Sequence, residues 1–187
     1  MAKIITFSGR AQSGKDSCAR IIKQGLTHKG LRIFELACGD YVKVLSDRNL
    51  GTKEMSKEEA RPVWQYFGTD KVRGIDCDFW VKVVSMTVDL LKHEYDVFII
   101  TDARFENEMN HDVFDNEHPI FNILVKRETE SGLTEDELKH ESEQLADRDD
   151  NLFDAIIRND GDLMDLEDLC IKYVEYFADW FRKENAA

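Results

Sequence analysis

The stretch from Lys3 to Asp16 constrains this chain more than any other. Lys3-Ile4-Ile5-Thr6-Phe7-Ser8 is short, β-branched and nearly all apolar, which predicts a strand buried on both faces. Gly9-Arg10-Ala11-Gln12-Ser13-Gly14-Lys15-Asp16 follows and fits G-x-x-x-x-G-K, with Asp where Ser or Thr is usual. From Lys15 to about His28, Ala19, Ile21, Ile22 and Leu26 recur at helical spacing. In a strand, loop and helix of this kind the glycines let the backbone curl. Several N–H groups then point at one anion, and the helix adds its positive N-terminal end. Lys15 can reach the outer phosphates. The plain alternative, a Gly-rich turn joining strand to helix, is weakened by these flanks.

The rest of the chain reads as a continuation of the same architecture. Gly30 stops the first helix, and Leu31–Leu36 is predicted as a second strand. That β-loop-α-β unit is the usual start of a parallel sheet. Residues from about Asp40 to His93 read as mostly helical. Ser56-x-x-Glu59 is a capping-box pattern, and Pro62 predicts a break or a fresh start. Asp78–Leu91 is a clearer helix, with Trp80, Val84, Val88 and Leu91 on one side. Strands are predicted at Asp96–Thr101, Ile120–Val125 and Ala155–Arg158, and a short helix at Phe105–Phe114. Thr134-x-x-Glu137 predicts a polar helix running toward Leu145. The last helix places Leu166, Leu169, Val174, Phe177 and Phe181 along one face, an aromatic stripe that reads as core. No repeat and no Gly-, Ser- or Pro-rich linker divides residues 1–187, so a single domain is expected. Its class is α/β, a three-layer sandwich of about five parallel strands with helices on both faces.

Charge narrows the partners. Asp and Glu number 38 against 25 Lys and Arg, a net charge of -13, which makes a general nucleic-acid or anionic-membrane binder a poor candidate. Such a chain still binds a phosphate ligand if its few cations converge in one pocket. No apolar run is long enough to span a bilayer, and the N-terminus leads straight into the first strand, so neither a membrane span nor a signal peptide is expected. Cys18, Cys38, Cys77 and Cys170 are widely spaced, and the five histidines form no ligand pattern. Reduced thiols in a cytosol are the expectation.

Three further motifs carry cations. Thr101-Asp102-Ala103-Arg104-Phe105, with Glu108, puts an acidic residue at the carboxyl end of a buried parallel strand, where open α/β sheets bind ligands. Asp102 there can orient magnesium or its water shell, and Arg104 can reach a phosphate; the plain alternative is an N-cap Asp beside a surface Arg. Gln65-Tyr66-Phe67-Gly68-Thr69-Asp70-Lys71-Val72-Arg73, then Asp78-Phe79-Trp80, reads on composition alone as a loop with a solvated Arg and a core Trp. Lys126-Arg127, His140-Glu141-Ser142-Glu143 and Arg148 lie in a polar segment that is either a mobile lid or a solvated hairpin.

In this order, the Gly-Lys-Asp loop, Gln65…Gly68-Thr69…Arg73…Trp80, Thr101–Phe105…Glu108, His140–Glu143 and Asn159-Asp160-Gly161 resemble the bacteriophage-type deoxynucleoside monophosphate kinases. These belong to the adenylate-kinase-like branch of P-loop proteins. The resemblance implies an NMP-binding helical region at 40–93 and a lid at 126–150. It implies transfer of the γ-phosphate of MgATP to a deoxynucleoside monophosphate. Lys15 and the backbone from Gly9 to Asp16, with Ser17 next along, would hold ATP and its magnesium; Asp16 and Asp102 would face the metal. Arg73 and Arg104 would grip the acceptor phosphate, with Gln65, Trp80, Asp102 and Glu108 around the acceptor. Arg127 would be the lid arginine at the transferring phosphoryl, with His140, Ser142 and Glu143 in the same lid. Asn159-Asp160-Gly161 would pass beside the adenine. A cytoplasmic location (the host cytoplasm, if phage-encoded) and a possible homodimer complete the expectation. Two other readings stand beside it: a nucleotide switch or assembly ATPase, and a kinase of a non-nucleotide phosphate such as phosphomevalonate. Cation-bearing motifs at three places beyond the loop favour a kinase, because a switch needs only the nucleotide side.

Overall fold

Every residue of β1 (Lys3–Ser8) is buried, as its unbroken apolar pattern requires. A computed structural model describes residues 2–110, 114, 118–128 and 138–184. Around β1 the chain builds a five-stranded parallel sheet with β2 (Ile33–Leu36), β3 (Val97–Ile100), β4 (Ile120–Lys126) and β5 (Ala155–Arg158), in the order β2-β3-β1-β4-β5. Parallel neighbours need crossovers: α1 (Lys15–His28) lies on the one from β1 to β2, and α2 (Cys38–Asn49), α3 (Lys57–Gln65) and α4 (Phe79–Leu91) on the one from β2 to β3, while α5 (Leu163–Glu184) follows β5. The period of two along each strand divides the core between the two faces of the sheet. Ile5, Phe7, Val97, Ile99, Ile123 and Val125 pack under α1 and α5 with Ile22, Leu26, Cys170, Val174 and Phe177. Ile4, Phe98, Ile100 and Ile120 pack on the other face with Trp80, Val81, Val84 and Val88 of α4. The three-layer α/β expectation therefore holds, including the inward stripe of the last helix.

The differences from the sequence reading have local causes. β2 begins at Ile33 rather than Leu31, because the chain first closes α1: Gly30 takes φ +89° and Leu31 N–H donates to Leu26 C=O at 3.2 Å. Pro62 does not break α3. The Ser56 capping box is formed on both sides, and the exposed proline forfeits one intrahelical bond. The helix then widens into a π-type stretch, Tyr66–Arg73, where the pattern suggested a loop. Gly68 fits there against Val42, and Trp80 Nε1 donates to Gly68 C=O at 2.9 Å. The segment Phe105–Phe114 is not a helix along its length: a 3₁₀ turn covers Glu106–Met109 and Asn110 is extended. Glu108 is turned back onto the N–H groups of Arg104 and Phe105, which caps the start of this turn. The Thr134-x-x-Glu137 pattern lies outside the described residues. Beyond it, three short 3₁₀ turns (Glu141–Glu143, Leu145–Asp147, Asp150–Leu152) lead into β5, and Leu145 is buried with Ala103, Met109, Leu124 and Phe153.

Candidate active site

The carboxyl ends of β1, β3 and β4 lie at one edge of the sheet, and the segments leaving them carry Lys15, Arg104 and Arg127, while Arg73 comes from the helical stretch between β2 and β3. The loop after β1 is held in a shape only its glycines allow. Gly9 takes φ +153° and Gly14 φ +93°; a Cβ on Gly9 would come 2.5 Å from Val125 C=O. Gln12, at φ +63°, is the one non-glycine with positive φ among the described residues. Ser13 is buried in the curl with no partner for its Oγ. Asn159, the residue after β5, is turned inward and donates Nδ2–H to Ser13 C=O at 2.9 Å. Asp160 and Gly161 are exposed, and Asp160 accepts Glu128 N–H at 2.9 Å.

Lys15, at 9% exposure, has its pKa held below the ordinary lysine value by burial. Asp16, Glu143 and Asp102 pull it up and Arg104 pushes it down, so all four groups lie within its field. Asp102 accepts Cys38 N–H at 2.9 Å and Gly39 N–H at 2.8 Å, so it fastens the N-terminus of α2. Burial raises the Asp102 pKa, against the pull of Arg104 and the Gly39 N–H. Asp16 is exposed on the first turn of α1, with Ser17 half-buried beside it.

Arg104 is half-buried and ion-paired, and Arg73 is largely buried. Arg104 Nη1 donates to the Glu143 carboxylate and to Ser142 C=O, while its Nε and Nη2 have no partner among the described residues. Burial works against the Arg104 charge, but Glu143 and Asp102 more than offset it and hold its pKa above the ordinary value. Arg73, whose side chain is 11% exposed, stacks its guanidinium 3.5 Å from the centre of the Phe105 ring. Its Nη2 donates to Asn107 Oδ1 at 3.2 Å, and Nη1 lies 3.7 Å from Glu108 Oε1 without a hydrogen bond. Gln65 Nε2 is likewise buried and unpartnered. Trp80 is in the core against Phe67 and Phe79, where it braces the turn that leads to Arg73. His140 Nε2 approaches Asp70 at 3.7 Å, and Arg10 pairs with Asp147 at 2.6 Å across the same edge. Arg127, exposed just past β4, makes no ion pair among the described residues.

Two features of this corner escaped the sequence reading. Arg61, on α3, lies 3.6 Å from Glu143, so one carboxylate serves two guanidiniums. The available signal was that Arg61 and Gln65 are four apart and share a helix face. The inward turn of Asn159 had no signal, because its partner is a backbone carbonyl.

Glu108 makes the site sensitive to pH. Its pKa is pushed up to about 7, first by burial; the N–H groups of Arg104 and Phe105 and the Arg73 charge restrain the rise, and Asp102 adds to it. The folded value lies above the ordinary 4.5. The stabilising contribution of Glu108 is therefore fully present below that value and is lost as pH rises toward 7. Relative to Glu108→Gln, the wild-type protein should lose up to about 1.4 kcal/mol per pH unit across this window. Denaturant titrations of both proteins at several pH values test this; parallel pH profiles would remove the effect.

Comparison with known proteins places this geometry. Dephospho-CoA kinase from Campylobacter jejuni shares the fold with a TM-score of 0.54 at 14% identity, covering 96% of this chain and 98% of that one. An APS kinase mutant from Mycobacterium tuberculosis gives 0.52 at 16%, covering 93% and 97%. The same enzyme in complex with AMPPNP and APS gives 0.50 at 15%, covering 93% and 96%. At these identities the likeness is one of fold. No curated protein matches the sequence. A family model described as deoxynucleotide monophosphate kinase matches residues 40–170. That span holds Arg61, Gln65, Arg73, Asp102, Arg104, Glu108 and Glu143; β1, the phosphate loop, α1 and β2 lie before it and most of α5 lies after it. With the match running from the first turn of α2 into α5, the chain belongs to the deoxynucleotide monophosphate kinase family.

Proposed function

We propose that this kinase moves the γ-phosphate of ATP to a deoxynucleoside 5'-monophosphate, giving ADP and the diphosphate. The observation that carries the reading is a set of donors without protein partners among the described residues: Ser13 Oγ in the loop that bears Lys15, Arg104 Nε and Nη2 within the field of Lys15, and the buried Arg73 Nη1 and Gln65 Nε2. Two anionic substrates repel each other, and a site that joins them needs cations on both sides of the reacting phosphorus. On the donor side, Lys15 and the N–H groups from Gly9 to Ser17 hold the ATP phosphates, with Asn159-Asp160-Gly161 beside the adenine. On the acceptor side, Arg73 and Arg104 grip the monophosphate, while Gln65 binds and Trp80 backs the nucleoside. An acceptor phosphate oxygen attacks the γ-phosphorus in line, and the bond to the β-phosphate oxygen breaks. The attacking oxygen is already ionised at neutral pH, so no general base is required. Arg127, at the carboxyl end of β4, meets the transferring group as the segment bearing His140, Ser142 and Glu143 excludes water.

The residues beside Lys15 fit a magnesium ion carried in with ATP. Asp16 is exposed and makes no ion pair among the described residues, and each Asp102 oxygen has spent only one acceptor position on an N–H. Magnesium there supplies positive charge between the phosphates. Asp16→Asn is expected to weaken the apparent magnesium affinity and lower kcat, with metal-free ATP binding unchanged or slightly tighter. Superimposable magnesium titrations of activity would leave Asp16 only the role of complementing the helix N-terminus, worth about 0.3–1 kcal/mol.

The test of the reaction is a coupled ADP-release assay with a panel of deoxynucleoside monophosphates, ribonucleoside monophosphates and phosphomevalonate. At least one deoxynucleotide should raise ADP release far above ATP hydrolysis alone. A response only to phosphomevalonate would move the enzyme to another acceptor. A response to none would favour a nucleotide switch.

A further inference from the structure

The acidic segment between β4 and β5 is an odd companion for a phosphate site, yet it sends one carboxylate into the centre of it. Glu143 has a side chain 2% exposed. It bonds Arg104 Nη1 from the β3 loop and lies 3.6 Å from Arg61 Nη1 on α3. Lys15 also feels its charge. The chain around Glu143 is fixed rather than hanging: Leu145, two residues on, is in the core with Leu124 and Phe153, and Ser142 is buried. A carboxylate held this firmly is a poor stand-in for a substrate that must be displaced. It uses only one nitrogen of Arg104 and leaves the other two donors open, on a side chain 34% exposed.

We propose that Glu143 is a positioning residue for phosphoryl transfer. It locks the Arg104 guanidinium by one corner so that Nε and Nη2 face the acceptor phosphate, and it holds Arg61 and Arg104 close in spite of their mutual repulsion. Two arginines sharing one buried carboxylate keep a net positive charge, so the corner still attracts an anion. Without the carboxylate the two guanidiniums repel, and Arg104 spreads over several rotamers. Part of the binding energy of the acceptor must then be spent on fixing it. The assignment rests on the acceptor reading given above, and the experiment separates the two.

The variants are Glu143→Gln, which keeps an oxygen to accept from Arg104 but loses the charge, Arg104→Ala, and the double variant. Thermal melts first establish that each is folded; Glu143→Asp takes the place of the Gln variant if that does not fold. With the deoxynucleotide that the wild-type enzyme uses best, Glu143→Gln should raise KM for the acceptor or lower kcat so that kcat/KM falls about tenfold or more, with KM for ATP within about twofold. Because Glu143 acts through Arg104, the double variant should be no worse than Arg104→Ala alone. Additive losses, or a loss confined to melting temperature, would overturn the assignment. If the wild-type protein phosphorylates no monophosphate, the acceptor reading fails by itself. Glu143 is then judged by calorimetric affinity for inorganic pyrophosphate: tenfold weakening in each single variant and no further loss in the double supports it, and wild-type affinity in Glu143→Gln overturns it.

Discussion

Arg73→Ala is expected to lower kcat/KM for the monophosphate acceptor by about 10²-fold, with KM for ATP changed less than about twofold. Arg73 reaches the site from the end of the wide helical stretch, and three neighbours fix its plane. The Phe105 ring stacks at 3.5 Å, Asn107 accepts from Nη2, and Glu108 sits 3.7 Å from Nη1. A guanidinium so constrained loses little freedom on meeting a phosphate, and a buried charge-assisted contact is worth about 2–5 kcal/mol when truncated. The substitution also leaves Glu108 without its cation in a buried setting. Stability should therefore be followed in parallel, and the kinetic loss should persist at temperatures where both proteins are fully folded. Wild-type kinetics for both substrates would return Arg73 to the role of a stacked structural cation.

The second large effect is expected at Gly14. Gly14→Ala should reduce ATP affinity more than about tenfold and lower the melting temperature by roughly 5–15 °C. The backbone there takes φ +93°, which an L side chain resists, and a Cβ would overlap the Asn159 amide that donates to Ser13 C=O. Backbone strain of about 1–3 kcal/mol adds to the loss of a buried hydrogen bond worth about 1–3 kcal/mol. Lys15 follows directly, so the same displacement moves the phosphate-binding amine. Gly30→Ala is the matched comparison. Its φ is +89° and its Cβ meets nothing within 4 Å, so it carries the strain without the overlap. Gly30→Ala should lose some stability and keep full ATP affinity. Equal behaviour of the two variants would show that the Asn159 contact does nothing for the loop.

The difference between these glycines also marks how far the sequence reached. The phosphate loop was legible because its chemistry is local: a buried strand, two glycines, a lysine and a helix start are consecutive. The strands and α4 were legible for the same reason, since period-two and period-3.6 patterns report burial within one element. On composition alone Arg73 reads as a solvated loop residue, and only the family resemblance assigns it to the acceptor, because nothing nearby in sequence announces Phe105 and Glu108, which reach it from more than thirty positions away. Pro62 misled in the opposite direction. Its intrinsic cost was outweighed by a complete capping box and by the packing of α3. The pairing of Arg61 with Glu143 joins an unremarked helix residue to an acidic run that composition alone assigns to solvent. Tertiary contacts decided the placement of Arg73 and Arg61, where residue type contributed only the charge.

The proposed function requires that the site transfer a phosphoryl group between two bound nucleotides instead of releasing it to water. Incubation with ATP labelled at the γ-phosphorus, magnesium and the full set of deoxynucleoside monophosphates, followed by separation of products, reads that partition directly. Label is expected in at least one deoxynucleoside diphosphate, with little inorganic phosphate formed until the acceptor is exhausted. Label found only in inorganic phosphate, at a rate indifferent to every monophosphate, would contradict the proposed function.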